Sequence, residues 1–194
     1  MTWAFGDLRP LSYDLIVADP PWKYEAYSER GEKKGAAAQY SCLQPEEIGE
    51  LFPVHLLAGG NCLLGCFGTW PLFDRQLACI RAWGFTFRSV VVWEKVFASG
   101  KSAIGTGYRV RSMCEPVLLA TIGEPRHKAF PGLFSGIRRE HSRKPDEFYS
   151  LVDDRCPRLF RRADLFARET RHGWEAFGNE ATKFDPAPLA VAAE

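Results

Sequence analysis

The residues best able to do chemistry stand in one short run, Asp19-Pro20-Pro21-Trp22, directly after the apolar stretch Tyr13-Asp14-Leu15-Ile16-Val17-Ala18. Ionised aspartate only accepts hydrogen bonds. A residue before proline is pushed to an extended conformation, so Asp19 and Pro20 are both held extended. Two prolines can neither continue a sheet ladder nor sit inside a helix, so the chain must stop and turn here. They also take N–H groups out of the turn, which predicts a Pro20 carbonyl without a competing donor. The result is a stiff cluster of acceptors beside a flat indole. A planar group with an NH₂ is its natural ligand, and the exocyclic amine of adenine fits. One hydrogen would go to Asp19 and one to the Pro20 carbonyl, with the ring against Trp22. Such stacking contributes roughly 1–3 kcal/mol per base.

The same arrangement would serve methylation. The adenine N6 lone pair is delocalised into the ring, so the amine is a poor nucleophile. Two acceptors can localise that lone pair and stabilise the charge that develops as N6 attacks an electrophilic methyl. Holding the reactants in line supplies the rest. The proton then leaves to Asp19 or to water. The bland alternative is a strand-ending turn. Asp-Pro-Pro alone would read that way; the apolar strand before it and the tryptophan after it favour function.

The elements that must position this run follow from pattern. At 194 residues the chain fits one domain with a full core. Strands are expected at 14–18, 62–67, 85–93, 115–121, 159–166 and 174–177. Several are apolar almost throughout, as in strands covered on both faces. Helices are expected from Pro45, with Pro53 bending or splitting the first, from Pro71 to Trp83 with Gly84 as the stop, and from Lys144-Pro145-Asp146-Glu147. Strand alternating with helix is the α/β doubly wound pattern. Three stretches, 23–41, 97–108 and 130–142, read as long loops, and ligands in such sheets sit beyond the carboxyl ends of the strands. One domain is expected over 1–180, with the alanine- and proline-rich end of 181–194 as a disordered tail.

Composition narrows the classes. The formal net charge is +1, so no global basic field marks a protein that coats nucleic acid, though a local groove is still open to it. No apolar run approaches the roughly 18 residues of a membrane span, and no signal-peptide pattern is present; a cytoplasmic location is expected. The six cysteines and four histidines have no metal-binding spacing. Cys62 and Cys66 lie on one strand and read as small core residues in a reducing compartment.

The chain resembles the DPPW-type adenine N6-methyltransferases, the family of the 70-kDa subunit of mRNA adenosine methyltransferase, which has bacterial and phage members. Four ordered blocks carry the resemblance: Ile16–Trp22; Trp93-Glu94-Lys95 with Gly105–Arg109 and Cys114–Ala120; His141–Glu147; and Asp164–Arg168 with Gly173–Glu180. It implies a Rossmann-like α/β methyltransferase fold, a mostly parallel sheet flanked by helices in the class β permuted order, and S-adenosyl-L-methionine as cofactor. It implies Asp19, Pro20, Pro21 and Trp22 as catalytic residues. Asp7, Leu8, Asp19, Lys144, Arg168, Asn179 and Glu180 would bind the cofactor. Lys144, at a helix start, can pair with the methionyl carboxylate. Asn179 and Glu180, after the last strand, can bind ribose hydroxyls, and Arg168 can hold the cofactor or fix Glu180. Asp7 and Leu8 match the position that cradles the cofactor's adenine in relatives. The family usually has Glu where this chain has Asp164.

The substrate must offer adenine outside a helical stack, at a cost of a few kcal/mol. The loops 23–41 and 97–108 would clamp it, basic residues interleaved with aromatics. Trp22, Tyr24, Tyr40, Lys95, Tyr108, Arg109 and Glu115 are the expected substrate-binding residues. Glu115 reads as an active-site support or as a strand cap. DNA stands ahead of RNA as partner because the chain is compact and nothing in it reads a 2′-hydroxyl. The alternatives are an RNA adenosine methyltransferase and a catalytically inactive nucleic-acid-binding relative. No membrane association and no obligate protein partner are implied.

Overall fold

The computed structural model describes residues 3–23, 42–105, 109–140 and 143–187. Seven strands form one sheet: β1 (Tyr13–Ala18), β2 (Ala58–Phe67), β3 (Thr86–Val96), β4 (Cys114–Ile122), β5 (Leu133–Ile137), β6 (Arg162–Leu165) and β7 (Glu175–Phe177). Their order is β5-β3-β4-β2-β1-β6-β7. β4 runs antiparallel to both neighbours, β2 and β3, and the other pairings are parallel. The sheet is therefore mostly parallel, with one reversed strand. Among the described residues three helices flank it: α1 (Pro45–Leu51), α2 (Phe73–Ala82) and α3 (Asp146–Arg155).

Alternation along each strand feeds a core on each face. Ile16, Ala18, Cys62, Leu64, Cys66, Leu118 and Ala120 meet Ile48 of α1 and Ile80 of α2 on one side. Leu15, Val17, Leu63, Phe67, Val117 and Leu119 meet Phe148 and Val152 of α3 on the other. That is why these strands read as continuous apolar runs. Cys62 and Cys66 share the first of these faces, and both thiols are free and buried.

The helices begin where their sequence says. α1 opens with Pro45 at its first position, and Gln44 N–H donates to Glu47 Oε2 at 2.7 Å in a capping box. The helix stops at Leu51, and after Pro53 a separate 3₁₀ turn, Val54–Leu56, takes over. The expected Pro71 helix is a 3₁₀ turn, Trp70–Leu72, leading into α2, and Gly84 ends it at φ +75°.

Two expectations need correction. The stretch 130–142 is not all loop, because β5 lies inside it and pairs with β3 at the sheet edge. Gly136 hid it, since glycine in a strand is a weak strand signal. Here the glycine has a packing reason. A Cβ at Gly136 would stand 2.8 Å from Pro145 Cβ and 2.8 Å from Trp93 Nε1. The last strand pair is also shorter than expected. β6 ends at Leu165, and Phe166 turns the chain with φ +60°. At the C-terminal end the chain stays packed past residue 180. Asp185 accepts from the Thr170 N–H and hydroxyl at 2.7 and 2.9 Å. Residues 188–194 of the expected tail lie outside the described residues.

Candidate active site

The turn after β1 sits at the centre of the sheet, where parallel strands end. Asp19 N–H donates to Leu165 O of β6 at 3.2 Å, which fixes the first residue of the turn. Leu43 N–H donates to Pro21 O at 2.8 Å. Trp22 is 8 % exposed and sits in the core, and its indole N–H donates to Phe67 O at 2.9 Å. The ring thus pins the turn to β2, and its buried faces correct the expectation of a base stacked on Trp22. A second correction concerns Pro20, whose carbonyl already accepts the Trp22 N–H at 2.8 Å. One of its two lone pairs is left for a ligand. The prolines bring no N–H of their own, but the N–H of the residue after them reaches this carbonyl.

Four charged side chains meet beside this turn. Lys144 Nζ lies 2.9 Å from Asp19 Oδ2 and 3.6 Å from Glu115 Oε2. Lys95 pairs with Glu115 through Oε1. The Lys144 and Asp19 side chains are 12 % and 16 % exposed, so each needs an opposite charge to stay ionised. The cluster supplies two of each sign. Aromatic faces complete it. Lys144 Nζ is 4.7 Å from the Phe67 ring centre, and Lys95 Nζ is 4.9 Å from that of Trp93. Topology makes the meeting possible. Glu115 faces Trp93 across the β3–β4 ladder, and the reversal of β4 puts its first residues where the parallel strands finish.

The two carboxylates diverge in acidity. Burial pushes the Asp19 carboxyl up, opposed by Lys144 and reinforced by the Glu115 charge. Burial also pushes Glu115 up, but Lys144 and Lys95 outweigh it and hold Glu115 below its ordinary value. A single added proton therefore goes to Asp19, and Glu115 stays an anion between two lysines.

A narrow recess of about 10 Å³ opens beside Asp19 and Lys144, between β1 and β6. Tyr149 and Asp164 form part of its wall, and Tyr149 O–H donates to Asp164 Oδ2 at 2.8 Å. Burial raises Asp164 to about 7, against the pull of the Tyr149 hydroxyl and Arg171. The Asp found in place of the family's Glu is thus satisfied by a tyrosine of α3. The rim is an ion network that the sequence reading missed. Glu169 accepts from Arg143 at 2.6 Å and from Arg139 at 3.2 Å, and it also pairs with Arg171. Its members lie up to 32 residues apart, so no spacing could have signalled it.

The expected cofactor residues are only partly gathered. Lys144 lines the recess but points to Asp19. Arg168 lines it too, and its Nη2 is 2.9 Å from Glu180 Oε2, so it fixes Glu180. Asn179 is exposed beside Glu180. Asp7 is exposed and Leu8 buried on a segment that Phe5 anchors to Phe177 of β7, with ring centres 5.4 Å apart. Arg109 is exposed. Tyr24, Tyr40 and Tyr108 lie outside the described residues. A wider groove, about 590 Å³, lies at the opposite strand ends around His55, Ala58 and Gly84. It is lined without a carboxylate. Among the described residues, no group of three or more His, Cys, Asp or Glu could hold a metal ion, and no helix is long and apolar enough to cross a membrane.

A mostly parallel, helix-flanked sheet with an acceptor turn at its central strand tip defines the Rossmann-like methyltransferase class. More narrowly, the chain belongs to the MT-A70 family, whose model matches residues 13–180. It is 28% identical to the type II methyltransferase M.MunI of Mycoplasma sp, over 91% of this chain and 81% of that one. It is 29% identical to the N6-methyladenosine RNA methyltransferase MTA1 of Cryphonectria parasitica, over 89% of this chain and 52% of that one. Human N(6)-adenine-specific methyltransferase METTL4 is 28% identical, over 94% of this chain and 40% of its own length. The chain thus spans most of the first relative and about half or less of the other two.

Proposed function

We propose that this chain transfers a methyl group from S-adenosyl-L-methionine to the exocyclic N6 amine of adenine in nucleic acid, with DNA as the polymer. The observation that carries this reading is the half-sequestered Asp19 carboxylate on its proline-locked turn, paired with Lys144 beside the recess. The family membership and the N6-adenine and N6-adenosine methyltransferases among its relatives agree with it.

By charge, the residues at and beside the recess suit the cofactor. Lys144 is a cation for a carboxylate and Asp164 an acceptor for an ammonium, and beside the recess Glu180 with Asn179 can meet ribose hydroxyls. Asp7 and Leu8 remain the candidates at the cofactor's base. When bound, the cofactor supplies a methyl group on a positively charged sulfur. The protein's own residues do the remainder. Asp19 accepts one N–H of the amine, and the spare lone pair of the Pro20 carbonyl accepts the other. This draws the nitrogen lone pair out of conjugation. The upward shift of Asp19 makes it a better proton acceptor than an ordinary aspartate. Lys144 offsets its charge, and Glu115 holds Lys144 and Lys95 in place. Trp22 locks the turn from below. Lys95, Arg109, Tyr24, Tyr40 and Tyr108 are proposed to meet the polynucleotide.

DNA is favoured because the chain covers most of the type II methyltransferase and only about half of the RNA methyltransferase. RNA is the second reading. Incubation with labelled S-adenosyl-L-methionine and matched unmodified DNA and RNA oligonucleotides tests both. Label on N6 of adenine in DNA is expected. Label on RNA alone would move the reading to RNA, and label on neither would leave an inactive nucleic-acid-binding relative. A cytoplasmic setting and the lack of an obligate protein partner are part of the proposal.

A further inference from the structure

Trp70 is an exposed aromatic ring held rigidly at the edge of the charged cluster. It is 42 % exposed and begins the 3₁₀ turn after β2. Its indole N–H donates to the Cys114 carbonyl at 3.2 Å, one residue before Glu115. Its ring stacks on Phe73, with centres 5.7 Å apart and planes at 23°, and Phe73 packs against the core. The backbone behind it is fixed as well. Gly68 N–H donates to Pro116 O at 2.9 Å, and Thr69 N–H to Gln76 Oε1 at 3.1 Å. Three residues upstream, Phe67 lies under Lys144. The ring cannot swing away without losing both a hydrogen bond and a stack.

We propose that Trp70, supported by Phe73, is the platform on which the nucleobase next to the target adenine stacks. This rests on the methyl-transfer reading. An adenine turned out of its stack leaves its neighbour with an uncovered face, and a preset aromatic replaces the lost partner. Cation placement favours a polynucleotide over an apolar protein segment. Lys101, Arg109 and Arg111 are exposed on the connection from β3 to β4, whose far end supplies Cys114. Arg111 Nε–H donates to Gly105 O at 3.1 Å, which keeps that guanidinium on the loop where phosphates would pass. Stacking tolerates any base, so the platform fixes strand position without choosing sequence.

The test uses single-stranded oligonucleotides with one adenine, either intact or with an abasic site on its 5′ or 3′ side. KM for methyl transfer and affinity by fluorescence anisotropy are measured for wild type, Trp70→Ala and Trp70→Phe. Trp70→Ala is expected to raise KM for the intact strand roughly 5- to 150-fold, the range of one base stack, with Trp70→Phe restoring most of it. One abasic strand should bind wild type as weakly as the intact strand binds Trp70→Ala, and that substitution should weaken it no further. An unchanged KM in Trp70→Ala, or equal weakening on intact and both abasic strands, overturns the platform while methyl transfer stands. A changed oligomeric state with unchanged KM assigns the ring to a protein contact and overturns it too. The wild-type abasic series needs no variant to fold. No transfer by wild type to any strand removes the methyl-transfer reading itself.

Discussion

Replacing Lys144 with methionine keeps the length of the side chain and removes its charge. Asp19 then loses its nearest cation, 2.9 Å away, while staying buried. Breaking one partner out of such a pair costs about 3–5 kcal/mol, because the remaining charge is stranded. Midpoints of domains of this length move by about 2–4 °C per kcal/mol, so a fall of roughly 6–20 °C is expected at pH 8. The pH dependence distinguishes stranding from lost packing. Asp19 is already raised in the folded state, by burial first, and removing Lys144 raises it further. A group raised on folding is penalised when ionised, above its folded pKa, and relieved as pH falls through that value. The variant's deficit should therefore shrink on acidification toward pH 5. Asp19→Asn in the Lys144→Met background removes the stranded charge and should recover most of the loss at pH 8. Urea unfolding of the two single variants and the double variant at pH 5 and 8 provides the cycle. Equal destabilisation at both pH values, with additive single effects, would refute the claim that Lys144 is there to neutralise Asp19.

Other tests reach the chemistry and the frame. Asp19→Ala should abolish methyl transfer while cofactor affinity by calorimetry stays within several-fold; near-normal turnover would take Asp19 out of the reaction. Lys144→Ala should weaken cofactor binding, and unchanged affinity would count against its carboxylate role. Asp164, raised to about 7 by burial, binds a proton in the folded state between pH 4 and 7 that the unfolded chain has released, so it makes stability fall as pH rises through that window. Asp164→Asn should flatten the decline, by an amount on the order of 4 kcal/mol at most; an unchanged slope in urea unfolding would clear Asp164 of it. Gly136→Ala should cost about 1–3 kcal/mol by overpacking against Pro145 and Trp93, and a neutral effect on the melting midpoint would show that β5 can shift away.

The framework was legible because its signals are local. Tyr13–Ala18 is an apolar run broken only by Asp14 and followed, after Asp19, by two prolines, and it is β1. Pro45 and Gly84 mark a helix start and a helix stop as their backbone limits require. The acceptor turn was readable for the same reason, since proline acts on its immediate neighbours. What escaped depends on distant partners. Trp22 looked like a stacking surface until its indole was found bonded to Phe67, 45 residues on. β5 was lost because Ser135 and Gly136 dilute its pattern, although the glycine is what lets Pro145 approach.

Strand direction is the deeper omission, and the site depends on it. Alternation and composition say nothing about whether a strand runs up or down. Had β4 run parallel to β2, Glu115 would begin at the edge far from Asp19, and Lys144 and Lys95 would face each other without an anion between them. Two ammonium groups near the Trp93 ring, Lys95 Nζ at 4.9 Å and Lys144 Nζ at 6.0 Å from its centre, would repel each other. The reversed strand delivers the missing carboxylate from its first residues rather than its last. The connection from Val96 to Cys114 carries no helix among its described residues, and an antiparallel neighbour needs none. The acceptor turn is written in four consecutive residues, but the charge balance around Asp19 is written in the topology.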